Sequence, residues 1–342
     1  MSTSLTEVIR HLLDSMDEKR KLQSLDEQTQ QMLDRAIERV IDGTDHRIRA
    51  VPGYKRKLYR SILKALEYVD RLIEQVPSAI ELDSDQFVFN PYLRIFFPTK
   101  QGLMKVFQQS SELKEYFDDA EHTTESLSCA LLCMRKCEEI VLGMELEGDQ
   151  IIRDVKQTRV SFAGHRIYAP ADSELSARRE LKCCIFEGLV DNALARISAL
   201  RQRRQQLESE QQILNSRLRG QKAGIAIDAV PEGSDTALIE REQEALRLHE
   251  VERELSELGY ATPEICLELV NDILAQPEAF VFLQNISMRV DKSGIKRPEE
   301  EPSQAVCDLH LSEVSIKGHP PRVVTLAFIK RKEIEPSASL EY

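Results

Sequence analysis

The feature that most constrains this chain is an apolar stripe that advances by alternating steps of three and four residues. It begins at Cys183 and passes through Phe186, Val190, Ala193, Ile197, Leu200, Arg204, Leu207, Gln211, Leu214 and Leu218 without a break. Such a repeat places one side of a helix against another helix. At ~1.5 Å per residue the stretch is a rod of roughly 54 Å. Cys184, Ile185, Leu189 and Leu194 widen the stripe near its start. A wide stripe needs several neighbours and a narrow seam needs one. The first half is therefore expected in a globular body, and the second half, with Arg204 and Gln211 at core positions, against a single partner.

A partner lies close in the sequence. Residues 220–234 (GQKAGIAIDAVPEGS) contain three glycines and a proline, which end the helix. Asp235 can cap a second helix carrying Ala237, Arg241, Glu244, Leu248, Val251, Leu255 and Leu258 at the same steps. If the chain reverses near residue 227, Leu207 meets Leu248 or its neighbours and Leu200 lies near Leu255, the arrangement of an antiparallel helical hairpin. A parallel pairing between two chains is the alternative. The candidate interaction residues are Arg204, Gln211, Leu207, Leu214, Leu248 and Leu255.

The period changes elsewhere. An amphipathic helix is expected from about 55 to 76, with Leu58, Ile62, Ala65, Leu66, Val69, Leu72, Ile73 and Val76 on one side and Pro77 ending it. Shorter helices are expected at 4–15, from Ser24 or Asp26 to Ile41, at 99–108 and at 110–118. Residues 86–97 (QFVFNPYLRIFF) read as an apolar docking segment without a regular ladder. Residues 123–138 read as a helix. Strands are expected at 139–147, 150–161 and 165–168, and again at 280–290, 305–316 and 322–331. Thr262-Pro263-Glu264 starts a helix to about Ala275.

The expected fold class is α+β and predominantly helical, with a small antiparallel sheet interrupted by a long antiparallel coiled-coil hairpin. The expected organisation is a helical domain at 1–120, a helix plus antiparallel strands at 121–172, and the hairpin at 173–276 with its tip about 220–234. Strands completing the sheet follow at 277–334, and the tail at 335–342 frays.

Low aromatic content (6%), no tryptophan and 30% charged residues favour long exposed helices. A net charge of −12 opposes general affinity for nucleic acid or anionic lipid. The N-terminus lacks the basic-then-apolar order of a secretory signal, and no stretch of eighteen apolar residues occurs. Seven cysteines then read as reduced thiols, and a cytoplasmic, acidic protein is the expectation.

Chemical motifs are sparse. HExxH, GxSxG, P-loop and dinucleotide patterns do not occur. Asp83-Ser84-Asp85 lacks the glycine and distal glutamate of a calcium loop. Cys129, Cys133 and Cys137, with His122 just before them, are the weak candidates for a metal site. On a helix, thiols at four-residue spacing lie about 6 and 12 Å apart and do not converge on one ion, so they read as small core residues. No cofactor is expected. A basic stretch, residues 44–64, carries Arg47, Arg49, Lys55, Arg56, Lys57, Arg60 and Lys64 against the single acid Asp45. It reads as a solvated or internally paired face, with an acidic protein or a phosphate-bearing ligand as alternatives.

The functional expectation is a non-enzymatic interaction or scaffold protein using the helical pair, with another protein or a second copy as partner. The alternatives are an enzyme with a pocket between the helical region and the sheet, and nucleic-acid or anionic-membrane binding through residues 44–64.

Overall fold

The computed structural model describes residues 27–119, 126–147, 150–222, 235–298 and 306–334. The expected helix at 4–15, the tip at 223–234, His122 and the tail from 335 lie outside them. In chain order the helices are α1 (Glu27–Asp42), α2 (Tyr54–Glu74), α3 (Pro91–Phe96), α4 (Lys100–Gln109), α5 (Ser111–Asp118), α6 (Glu174–Lys222), α7 (Asp235–Leu258) and α8 (Pro263–Ala275). The strands are β1 (Ile80–Leu82), β2 (Leu127–Glu147), β3 (Gln150–Ala171), β4 (Val281–Asp291), β5 (Val306–Ile316) and β6 (Arg322–Lys330). Among the described residues no helix is long and apolar enough to cross a membrane.

This architecture corrects the expected fold class. The sheet is not a small appendage: it is curled, has six strands and includes two of 21 and 22 residues. It is not wholly antiparallel, because β1 joins β6 in parallel. Among the described residues there is a single long helix, α6 with 49 residues, whereas α7 has 24. Helix still predominates, but the fold is a mixed one in which a large curled sheet stands beside one long helix, in place of a small sheet interrupted by a coiled-coil hairpin.

The largest departure from the expected elements lies in β2. Residues 127–137, expected within a helix, form the first half of β2. Ala130, Leu132 and Met134 are buried on one face, while Cys129 and Leu131 are buried on the other. A strand covered on both faces has no alternation of apolar and polar residues, so its sequence does not distinguish strand from helix. A smaller correction concerns residues 86–97. Asn90 accepts the Tyr92 N–H at 3.0 Å and Pro91 supplies the first helical position, so the segment ends in a helical turn and a half.

The described residues fall into two compact units: 65–189 with 277–334, and 27–64 with 190–276. The first holds the sheet, in the order β3-β2-β6-β5-β4. Its curl returns the last strand to the first. Just beyond β4, Gly294 O accepts the Val160 N–H at 2.8 Å and Lys296 N–H donates to Thr158 O at 2.9 Å. Asp291 builds this return by accepting from Ser293 N and Ile295 N and by gripping Arg297 through two guanidinium bonds. Gly294 has φ +79°. The concave face closes over α3–α5, with Phe96, Phe97, Leu103, Phe107, Leu113 and Phe117 packed among Val160, Phe162, Val290, Leu309 and Val323. Phe96 meets Phe162 edge-on at 5.1 Å, and Phe97 stacks on His165 at 4.5 Å. His165 Nε2 lies 2.8 Å from Phe96 O, and burial lowers the pKa of its ring.

Also in the first unit, the end of α2 is tied to the start of α6. Arg178 donates to Ile73 O, Val76 O and Pro77 O at 3.0–3.1 Å, and Lys182 pairs with Asp70 at 2.6 Å. Arg178 thus satisfies the carbonyls left open where Pro77 stops α2.

Candidate protein-interaction surface

In the second unit α7 runs antiparallel to α6. Leu207, Leu214 and Val251 are buried between them, with Leu248, Leu255 and Leu258 packed around. Exposed ion pairs flank the seam. Arg247 holds Glu210 through two bonds at 2.7 and 3.1 Å, Arg203 meets Glu254 at 2.5 Å, and Arg217 meets Glu244 at 3.5 Å. Each such pair contributes about 0.2–1 kcal/mol, whereas each fully buried aliphatic side chain contributes roughly 1.5–3 kcal/mol. Apolar burial therefore holds the helices together, and the charges set which residues stand opposite.

The two polar positions in the seam behave differently. Gln211 reaches Glu252 at 3.5 Å, at the margin of a hydrogen bond. Arg204 closes the end of α7. Its Nη1 donates to Gly259 O at 2.5 Å, and its guanidinium lies 3.4 Å from the Tyr260 ring centre. A cation at a helix C-terminus satisfies open carbonyls and complements the helix dipole. Spacing alone marks Arg204 as a polar interruption; its role appears only when Gly259 and Tyr260 are brought beside it. Cys183 and Cys184, expected in the stripe, are exposed. Cys183 therefore does not start a buried seam.

A second stripe of α6 carries a different surface. Gln202, Gln206, Ser209, Ile213 and Arg217 recur at steps of four, three, four and four, off the Leu207–Leu214 seam, and line an open groove of about 650 Å³. Ile213 is 55% exposed there. On α7, Ile239 and Leu246 are also exposed, one heptad apart.

The basic stretch is largely committed within the second unit. Arg47 holds Asp45 and donates to Ala261 O at 3.0 Å. Arg49 bridges Glu38 and Asp42 at 2.9 and 2.6 Å. Lys55 pairs with Asp34, and Lys64 donates to Ala275 O at the end of α8. Arg56, Lys57 and Arg60 are exposed on α2. Asp45 itself is 4% exposed and caps the 3-10 turn His46–Ala50 through the Arg47 N–H. It also meets Arg201, far away in sequence. Burial raises its pKa, but the Arg47 bonds outweigh that and hold the carboxyl well below its usual range.

Cys129, Cys133 and Cys137 lie along β2, where four residues span about 13 Å, so their thiols do not converge on one ion. Burial pushes the Cys129 thiol up to about 11 and the Cys133 thiol up to about 12. Among the described residues no group of three or more His, Cys, Asp or Glu side chains could hold a metal ion. Asp83 is held by Lys330 and Asp85 by Lys332.

Comparison with models of protein families, with curated proteins and with solved structures gives no match to this chain.

Proposed function

We propose that this is a protein-interaction protein whose α6 groove receives a helix from a partner protein. The observation that carries the reading is the open groove along α6 at Gln202, Gln206, Ser209, Ile213 and Arg217, bordered by the seam residue Leu214 that α7 covers. A helix bound along a groove presents side chains at steps of three and four, matching this spacing. The groove is nearly neutral and rich in amide groups. The partner helix is therefore one with an apolar anchor over Ile213 and hydrogen-bonding side chains beside it.

The test is site-specific photo-crosslinking in cells, with the photoreactive residue placed at Ser209 of the full chain. Expected is a crosslink to a foreign amphipathic helical segment that disappears with Ile213→Asp. Crosslinks confined to this chain, or a foreign crosslink indifferent to Ile213→Asp, would defeat the proposal.

A further inference from the structure

We infer that the distal part of the β2–β3 ribbon pairs with the same ribbon of a second copy of this chain, edge to edge through β2. β6 accompanies β2 only from Leu127 to Met134. Beyond Met134, β2 continues to Glu147 with β3 as its one strand partner among the described residues. Past the segment Gly294–Lys296, which pairs with β3 at Thr158–Val160, Val141–Glu147 and β3 form a two-stranded ribbon roughly 23 Å long, and an isolated two-stranded ribbon is marginally stable in water. Ile140, Leu142 and Met144 share one face of it and are 74%, 66% and 65% exposed.

The two edges of this ribbon differ. β3 carries Arg153, Asp154, Lys156 and Arg159, and the segment Gly294–Lys296 covers Thr158–Val160. Asp154 has φ 60° where the register shifts opposite Gly143 and Met144, which marks a bulge. Charge, a bulge and a covering segment are the devices that keep a sheet edge from pairing. β2 has none of them between residues 140 and 144, where the sequence is Ile-Val-Leu-Gly-Met. On the other face, beside Val141, the Gln157 amide lies over Gly143 and donates to Met144 O at 3.2 Å.

The apolar stripe and the charges together set the register; an axis at Ile140 would face Leu142 with Glu138 and Val141 with Glu139. The edge is bounded by Glu138 and Glu139 on one side and Glu145 and Glu147 on the other. Antiparallel self-pairing about Val141 sets Ile140 opposite Leu142 of the second copy, Glu139 opposite Gly143 and Glu138 opposite Met144. Glu138, Glu139 and Glu145 then face uncharged residues, and Glu147 faces the opposite charge of Arg135. Shifting the axis to Leu142 or Gly143 sets Glu139 against Glu145 or Glu147, a like-charge pair that destabilises a sheet. Pairing about Val141 joins two three-residue apolar stripes into one patch and makes a four-stranded sheet, past the three strands that independent stability requires.

Two measurements on the full chain test this. In sedimentation equilibrium the wild type forms a dimer at micromolar concentration, and Val141→Lys weakens it at least about tenfold by placing two cations face to face. Under mild oxidation Val141→Cys forms a disulfide-linked dimer, because directly opposed Cβ atoms lie about 4.5–5.5 Å apart, whereas Lys156→Cys on the defended edge and the wild type do not. A wild type that stays monomeric at high micromolar concentration overturns the inference. So does a dimer that keeps its affinity in Val141→Lys, or a Val141→Cys chain that crosslinks no better than wild type. The crosslink keeps the question decidable if Val141→Lys does not fold.

Discussion

Asp45→Asn isolates a contact that the fold creates across 156 residues of sequence. The Asp45 carboxylate accepts from the Arg47 N–H at 3.0 Å and from Arg47 Nε and Nη2, and it pairs with Arg201. Asparagine keeps an acceptor for the cap but loses the charge-assisted bonds to both guanidinium groups. Hydrogen bonds to charged groups contribute roughly 1.5–3 kcal/mol each. The Arg47 and Arg201 side chains remain 46% and 43% exposed, so water recovers much of that loss. The expected cost is about 2 kcal/mol, with Asp45→Ala about 1 kcal/mol worse through loss of the cap. The pH dependence has a definite sign. The folded pKa is depressed, so the stabilisation is complete above the unfolded value of about 3.9 and is lost as pH falls through the folded one. Urea unfolding followed by circular dichroism should show a constant deficit in Asp45→Asn from neutral pH down to about 5, shrinking below about 4. A deficit under about 0.5 kcal/mol at neutral pH, or one that grows on acidification, would refute the reasoning.

Gly294→Ala should open the sheet closure, because a Cβ there lies 2.6 Å from Val160 O and the backbone is at φ +79°. The cost is about 2–3 kcal/mol, seen as lost hydrogen-exchange protection at the Val160 amide; unchanged protection would contradict it. Ala169→Gly should stabilise the protein by about 0.5 kcal/mol, since Ala169 sits at φ 48° and donates its N–H to Glu112 at 2.7 Å, a bond glycine keeps. A lower melting temperature in that variant would count against it. Leu207→Ala removes a side chain that is 1% exposed and should cost about 2–4 kcal/mol, releasing α7 in an early loss of helical signal on heating. Cys129 and Cys133, with thiols held up to about 11 and 12, should resist alkylation near pH 8 in the native chain and react once it is unfolded, as peptide mass spectrometry would show.

Some of this protein was legible from sequence because the signal is local. Leu58, Ile62, Ala65, Val69 and Leu72 share one side of α2 by spacing alone, and all are buried. Thr99, Ser110 and Thr262 announce α4, α5 and α8 by capping them. Leu207, Leu214, Leu248, Val251 and Leu255 meet because two stripes of matching period are separated by a break. What tertiary structure alone decided depends on what covers a segment. Residues 129–134 are a strand because β3 and β6 flank them and both faces are largely buried, which erases the period that identifies strands. The sheet is large and curled because Asp291 and Gly294 return the chain to Val160. Arg204 is a helix clamp because Gly259 and Tyr260 stand beside it, and Arg47 is an internal tie because Ala261 O, distant in sequence, stands beside it. Spacing along a chain records which side chains share a face; the partner that face meets is set by packing across the whole chain.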